Sequence, residues 1–187
     1  MQKVEGSSPF SRFRAQRRKT RTARVAAVRR RWFSVQPADE AFLDGAPFRM
    51  SEAFEIAQPA ANVWAELTAE RPLAWCRILR DVTWTSPRPF GVGTTRTVRS
   101  LAGVLLRERY FRWEEGSRHS FDVEETTAPL FRRLAEDYLV EPLSETSCRF
   151  TWTIAIEPRT VVRVFEPANR LLLGTLFSDT RKHYHAG

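Results

Sequence analysis

The sequence predicts an α+β domain, a curved antiparallel sheet of about seven strands wrapped around one long C-terminal helix. Three observations carry that expectation. Short segments between Ser51 and Glu157 alternate apolar and polar residues with the period of two that a half-buried strand requires. One stretch near the C terminus repeats apolar residues at helical spacing. The order of elements is β, α, α, then about six strands, then α. That segregation excludes an alternating parallel α/β sheet.

Each element has its own signal. Ser51–Ala57 alternates around Phe54 and Ile56 and reads as the first strand. Gln58–Leu67 reads as a helix, with Pro59 suited to its first turn and Val63, Trp64 and Leu67 as its apolar stripe. A second short helix is expected over Leu73–Leu79, with Trp75, Ile78 and Leu79 facing inward. Asp81–Ser86 alternates, Pro87–Gly93 is a turn, and Thr94–Arg99 is a β-branched strand. Gly103–Trp113 and Ser117–Thr126 form a hairpin around Glu114–Gly116. Leu134–Pro142 and Cys148–Glu157 form another, with Phe150, Trp152, Ile154 and Ile156 on one face. The last helix carries Val162, Phe165, Asn169, Leu172, Leu173, Leu176 and Phe177 at helical spacing. Pro167 should start it or kink it. Arg181, Lys182 and His183 complement its dipole.

An alternating sheet has one apolar face to cover, and only the last helix is long enough to cover it. A bent sheet and a single helix cannot fill the space between them with side chains alone. An internal cavity is therefore expected.

The chain carries a formal charge of +8, but unevenly. Residues 1–31 hold eleven Lys and Arg against the single acid Glu5, so the remainder is slightly acidic. Residues 1–34 are expected to be a disordered basic extension, because they lack an apolar face to offset their ordering entropy. The folded domain is expected over 49–187. The string Val4–Ser11 resembles a translated transfer-RNA 3′ arm, which implies a start downstream, at Met50. Nucleic-acid binding through the basic arm stands as a rival reading, disfavoured because the folded part has no basic excess for phosphates. Two cysteines, Cys76 and Cys148, are too few for a disulfide framework or structural zinc site. No apolar run spans a membrane and no signal peptide is visible. A cytoplasmic monomer or homodimer without cofactor is expected.

The segment Phe54–Trp64, the strand Arg107–Glu114, the strand Phe150–Ile156 and the terminal helix together resemble the SRPBCC superfamily, also called START-like or Bet v 1-like helix-grip proteins. The likeness is to its polyketide cyclase/dehydrase and lipid-transport branch. It spans about residues 50–185 and rests on diffuse apolar patterns, with no catalytic signature. It implies a helix-grip fold and a deep pocket for a lipid, polyketide or other small hydrophobic molecule. Some members are cyclases.

Few side chains offer chemistry. No G-x-S-x-G, Walker-type loop or H-E-x-x-H occurs. His183 and His185 are two residues apart, the wrong spacing for one helix face, so no metal site is expected. Glu108 shares a strand face with Val104, Leu106 and Tyr110, and Glu136 with Leu134, Tyr138 and Val140. A carboxylate on an apolar face must find an arginine, line a solvated cavity with a raised pKa, or be turned outward by a bulge toward Arg99, Arg107, Arg109 or Arg112. Raised carboxyls beside Tyr110 and Tyr138 would suit a cyclase or dehydratase. His119 shares a face with Phe121 and Val123, either as a core histidine or as a third catalytic candidate. Trp75, Trp84, Tyr110, Phe121, Tyr138 and Trp152 are the expected ligand-binding wall, with plain core packing as the alternative. Thr126–Arg133 is either a lip at the cavity mouth or an ordinary loop on the helix.

Overall fold

A computed structural model describes residues 30–159 and 166–185. A short strand β1 (Phe33–Ser34) and a helix α1 (Glu40–Gly45) come first. Strand β2 (Phe48–Ile56) and helix α2 (Ala60–Leu67) follow. Six strands then run in succession: β3 (Leu79–Trp84), β4 (Thr95–Ser100), β5 (Leu105–Glu114), β6 (Arg118–Thr126), β7 (Phe131–Ser144) and β8 (Ser147–Pro158). Helix α3 (Glu166–His185) closes the fold. Its start at Glu166 puts Pro167 in the first turn, where a missing N–H costs nothing.

The sheet order is β2-β8-β7-β6-β5-β4-β3, antiparallel throughout. Successive hairpins build the meander from β3 to β8, and β2 joins its far edge. Tight turns need backbone that only glycine adopts freely, and Gly103 and Gly116 supply φ of +78° and +81° between β4 and β5 and between β5 and β6. The sheet curls so that its concave face grips α3, the helix-grip α+β arrangement the sequence predicts.

The concave core is rich in aromatic residues. Phe54, Tyr110, Phe121, Tyr138, Phe150 and Trp152 meet Val63, Trp64 and Leu67 of α2 and Leu176, Phe177 and Tyr184 of α3. The C-terminal half of α3 is tied down by polar contacts. Asp179 takes the backbone N–H of Arg77 at 2.9 Å, and Trp75 Nε1 donates to Thr180 at 3.0 Å. The His183 ring stacks on Trp75 at 4.1 Å, and Tyr184 donates to Glu66 at 3.0 Å. Val162 and Phe165 of the predicted stripe lie outside the described residues.

Two expectations change. Leu73–Leu79 is two successive turns, not a helix. Leu73 adopts φ +57°, left-handed backbone that breaks a helix, and the bonds from Cys76 N to Leu73 O and from Leu79 N to Cys76 O are isolated i to i+3 closures.

The second change is at the N-terminal side. Residues 1–29 lie outside the described residues, but the chain is ordered well before residue 49. β1 pairs with Glu125 and Thr126 of β6, beyond the Arg118–Asp122 stretch that β7 occupies. α1 is capped by Asp39, whose side chain accepts from Phe42 N at 2.9 Å. It buries Phe42 and Leu43 on Ala135 and Ala155, the small residues of the convex face. A chain starting at Met50 would lose this layer. Among the described residues no helix is long and apolar enough to cross a membrane.

Phe42→Ala should destabilise the protein by about 3–5 kcal/mol in urea unfolding, the usual cost of emptying a buried aromatic site. Wild-type stability in that variant would mean that α1 is not docked on the sheet.

Candidate functional site

A cavity of about 460 Å³ lies between the sheet and the N-terminal half of α3. That is within the range of small-molecule sites. Its walls come from one end of nearly every element. β2 contributes Phe48, β5 Leu106, β7 Phe131 and Leu134, β8 Ile156, and α3 Leu172, Leu173 and Leu176. Ser100, Leu101, Ala102 and Val104 come from the β4–β5 connection, and Ile78 and Leu79 from the start of β3. Leu101, Leu130 and Leu172 also reach solvent, which marks the mouth.

The same elements feed the aromatic core at their other ends. On β5, Leu106 faces the cavity and Tyr110 the core, with Glu108 between. On β7, Leu134 faces the cavity and Tyr138 and Val140 the core, with Glu136 between. On β8, Ile156 lines the cavity, while Phe150, Trp152 and Ile154 are core. A polar layer therefore separates an aliphatic chamber from an aromatic plug.

Glu108 and Arg96 form one part of that layer. They are directly opposed on β5 and β4, and Arg96 Nε donates to Glu108 Oε2 at 2.6 Å. Both are almost completely buried. Burial disfavours the charged guanidinium, but the charge and hydrogen bond of Glu108, with Tyr110 and Tyr138 beside it, act the other way, and the net shift of the Arg96 pKa is upward. The guanidinium lies 4.3 Å from the Phe121 ring centroid, a cation–π contact.

Glu136 forms the other part. Its Oε2 accepts from Tyr138 OH at 3.0 Å and from Trp152 Nε1 at 2.9 Å. It is deep in the protein yet keeps accessible surface, and that surface faces the cavity. Burial, helped by the charge of Glu108, raises its pKa to about 7 against the opposition of Trp152, Arg96 and Tyr138. Among the described residues that line this cavity it is the one ionisable side chain.

A model of the polyketide cyclase / dehydrase and lipid transport family matches residues 47–180. The chain belongs to this family. A relative from Mycobacterium tuberculosis, an uncharacterized protein, is 33% identical over 152 residues, which cover 78% of this chain and 89% of the relative. Among solved structures, a START superfamily protein from Mycobacterium smegmatis superposes with a TM-score of 0.57 at 11% identity, covering 74% of this chain and 97% of that one. The Zhui aromatase/cyclase from a Streptomyces species gives a TM-score of 0.55 at 16% identity, covering 75% of this chain and 98% of that one. At these identities the two structures speak for the fold alone.

Three candidate catalytic residues were read from the sequence of this family member, and they fall in different places. Glu108 is paired to Arg96. Glu136 lines the cavity. His119 is completely buried in an aromatic cage, 4.8 Å from the Tyr138 ring and 5.3 Å from the Trp64 and Trp113 rings. Neither of its ring nitrogens has a partner, and burial together with the Arg96 charge pushes its pKa well below the ordinary value. It is a neutral core histidine that does not line the cavity.

The aromatic residues expected as a ligand-binding wall sit elsewhere than this cavity. None of Trp75, Trp84, Tyr110, Phe121, Tyr138 and Trp152 is among the residues lining this cavity. Trp75 is stacked on His183 and Trp84 on Phe90, while the other four are fully buried in the plug. Flat, large rings pack most closely with one another, so they fill the end that α2 closes and leave the other end to branched aliphatics. Thr126–Arg133 does reach the cavity through Leu130 and Phe131.

Arg96 was missed, although it was visible. Thr94, Arg96 and Val98 share one face of an alternating strand, and a lone arginine on an apolar face needs a carboxylate. The aliphatic wall had no signal to distinguish it from ordinary core.

Glu108→Leu should cost about 3–5 kcal/mol in urea unfolding, because it strands a buried guanidinium; combining it with Arg96→Met should recover most of that loss. A single-variant cost below about 1 kcal/mol would contradict a sealed ion pair. Glu136 also predicts a pH trend. Its folded pKa, about 7, exceeds its ordinary value of 4.5, so unfolding releases a proton between the two, and stability falls as pH rises through that window. The loss is at most about 3 kcal/mol, less whatever cavity water recovers. Glu136→Gln should flatten it. His119, with a depressed pKa, trends the opposite way in both proteins and cancels in the comparison. Parallel curves for the two proteins would contradict the raised pKa.

Proposed function

We propose that this protein binds and carries one small hydrophobic molecule in the chamber between the sheet and α3. The observation that carries the reading is the chamber itself, about 460 Å³ with aliphatic walls and a leucine-rimmed mouth. A buried void of that size on apolar walls forfeits dispersion contacts that an apolar guest restores. Membership of a family whose description includes lipid transport supports the reading. Among the described residues Phe48 and Phe131 are the only aromatic ones in the wall, so the guest need not be flat. A lipid-like aliphatic body fits as well as a ring-containing polyketide.

The cyclase or dehydratase reading has less to stand on. It calls for cooperating acid and base groups at the substrate, and of Glu108, His119 and Glu136 only Glu136 touches the chamber. The nucleic-acid reading rests on residues 12–31, nearly all outside the described residues.

Leu106→Trp should fill the chamber. It is expected to weaken binding of the fluorescent apolar probe N-phenyl-1-naphthylamine by about tenfold or more while the protein stays folded, the scale on which excluding an apolar guest acts. Unchanged probe affinity in a folded Leu106→Trp protein would count against the chamber as the binding site.

A further inference from the structure

Among the described residues, the inner end of the chamber offers one hydrogen-bonding side chain, Glu136. Glu136 Oε2 is taken by Tyr138 and Trp152, and no protein donor among the described residues takes Oε1. The other wall residues are aliphatic or aromatic apart from Ser100. Ser100 lies at the end of β4, beside the mouth residues Leu101 and Ala102. From this placement we propose that Glu136 selects the ligand: an apolar molecule that enters with a neutral hydroxyl at its inner end, and not the corresponding carboxylate. The proposal rests on the ligand-carriage reading above.

The chemistry follows from what the layer offers. A ligand hydroxyl can donate to a Glu136 carboxylate or accept from the protonated acid, so it is satisfied in either state. A ligand carboxylate can only accept. It would meet a like charge whenever Glu136 is ionised, inside a chamber with little water to screen the repulsion. The groups around Glu136 do not relieve this. Tyr138 on β7 and Trp152 on β8 already donate to it. Arg96 on β4 is a cation that acts on Glu136, but its Nε is bonded to Glu108 on β5, and neither side chain is among the described residues that line the chamber. Tyr110 on β5 and Cys76 after α2 are buried and held neutral, the thiol raised to about 12 chiefly by burial.

The test uses two probes that differ only at the head group, 1-decanol and decanoate, titrated calorimetrically below micelle concentration at about pH 6 and about pH 8. The protonated fraction of a group titrating near 7 changes about tenfold between those values. Wild-type protein should bind decanol with affinities within about threefold of each other, and decanoate about tenfold more weakly at the higher pH. Glu136→Gln should bind decanoate equally at both, as tightly as wild type does at the lower pH. The wild-type series stands without the variant. Decanoate binding that ignores pH in wild type, or that keeps the same pH dependence in Glu136→Gln, overturns the selection by Glu136 and leaves ligand carriage intact. Failure of both probes to bind at both pH values overturns both.

Discussion

A single helix must cover the concave face of a seven-stranded sheet, and the rest of the structure depends on that mismatch. α3 closes tightly on the sheet only where large rings bridge the distance. Phe177 packs against Phe54 and Trp152 at 6.3 and 5.5 Å between ring centroids, and Trp75, His183 and Tyr184 lock the helix end. Toward the other end the wall side chains are mostly leucine, isoleucine and valine, which are too short to meet across the gap. The void left there is the chamber. Packing in the plug and emptiness in the chamber are one consequence of a bent sheet meeting a straight helix.

The boundary between those regions is polar. Arg96 and Glu108 are sealed behind the chamber and neutralise each other across adjacent strands. That arrangement is costly to break and gives modest net stability. Glu136 differs in having one oxygen bonded to the plug while the residue lines the chamber. Its carboxyl is perturbed by burial and by the neighbouring Glu108, which joins the two halves of the layer electrostatically. A perturbed acid at the floor of an apolar chamber is a common mark of a functional site.

Membership of the polyketide cyclase / dehydrase and lipid transport family joins the fold to this chamber. The fold supports both carriage and catalysis, so the residues at the chamber must separate them. Aliphatic walls and one buried carboxyl are what the described residues supply there, and they underlie the carriage proposed above. The N-terminal segment adds a second layer: α1 protects the convex face with Phe42 and Leu43 and ties Asp122 through Ala38 N at 3.1 Å.

By itself the sequence determined the strands, the two main helices and their order, because alternation and helical spacing are local properties that one face of burial imposes. It also determined that Glu108 and Glu136 stand on apolar faces and must each be satisfied. The tertiary structure alone decided how. Glu108 met Arg96 because β4 and β5 pair in one register, and Glu136 met the chamber because β7 crosses the boundary between plug and void. Local pattern likewise gave no sign that Leu106, Leu134 and Ile156 would line a cavity while Tyr110, Tyr138 and Trp152 would not. All six alternate inward, and only the distance to α3 at each level separates a wall from a core.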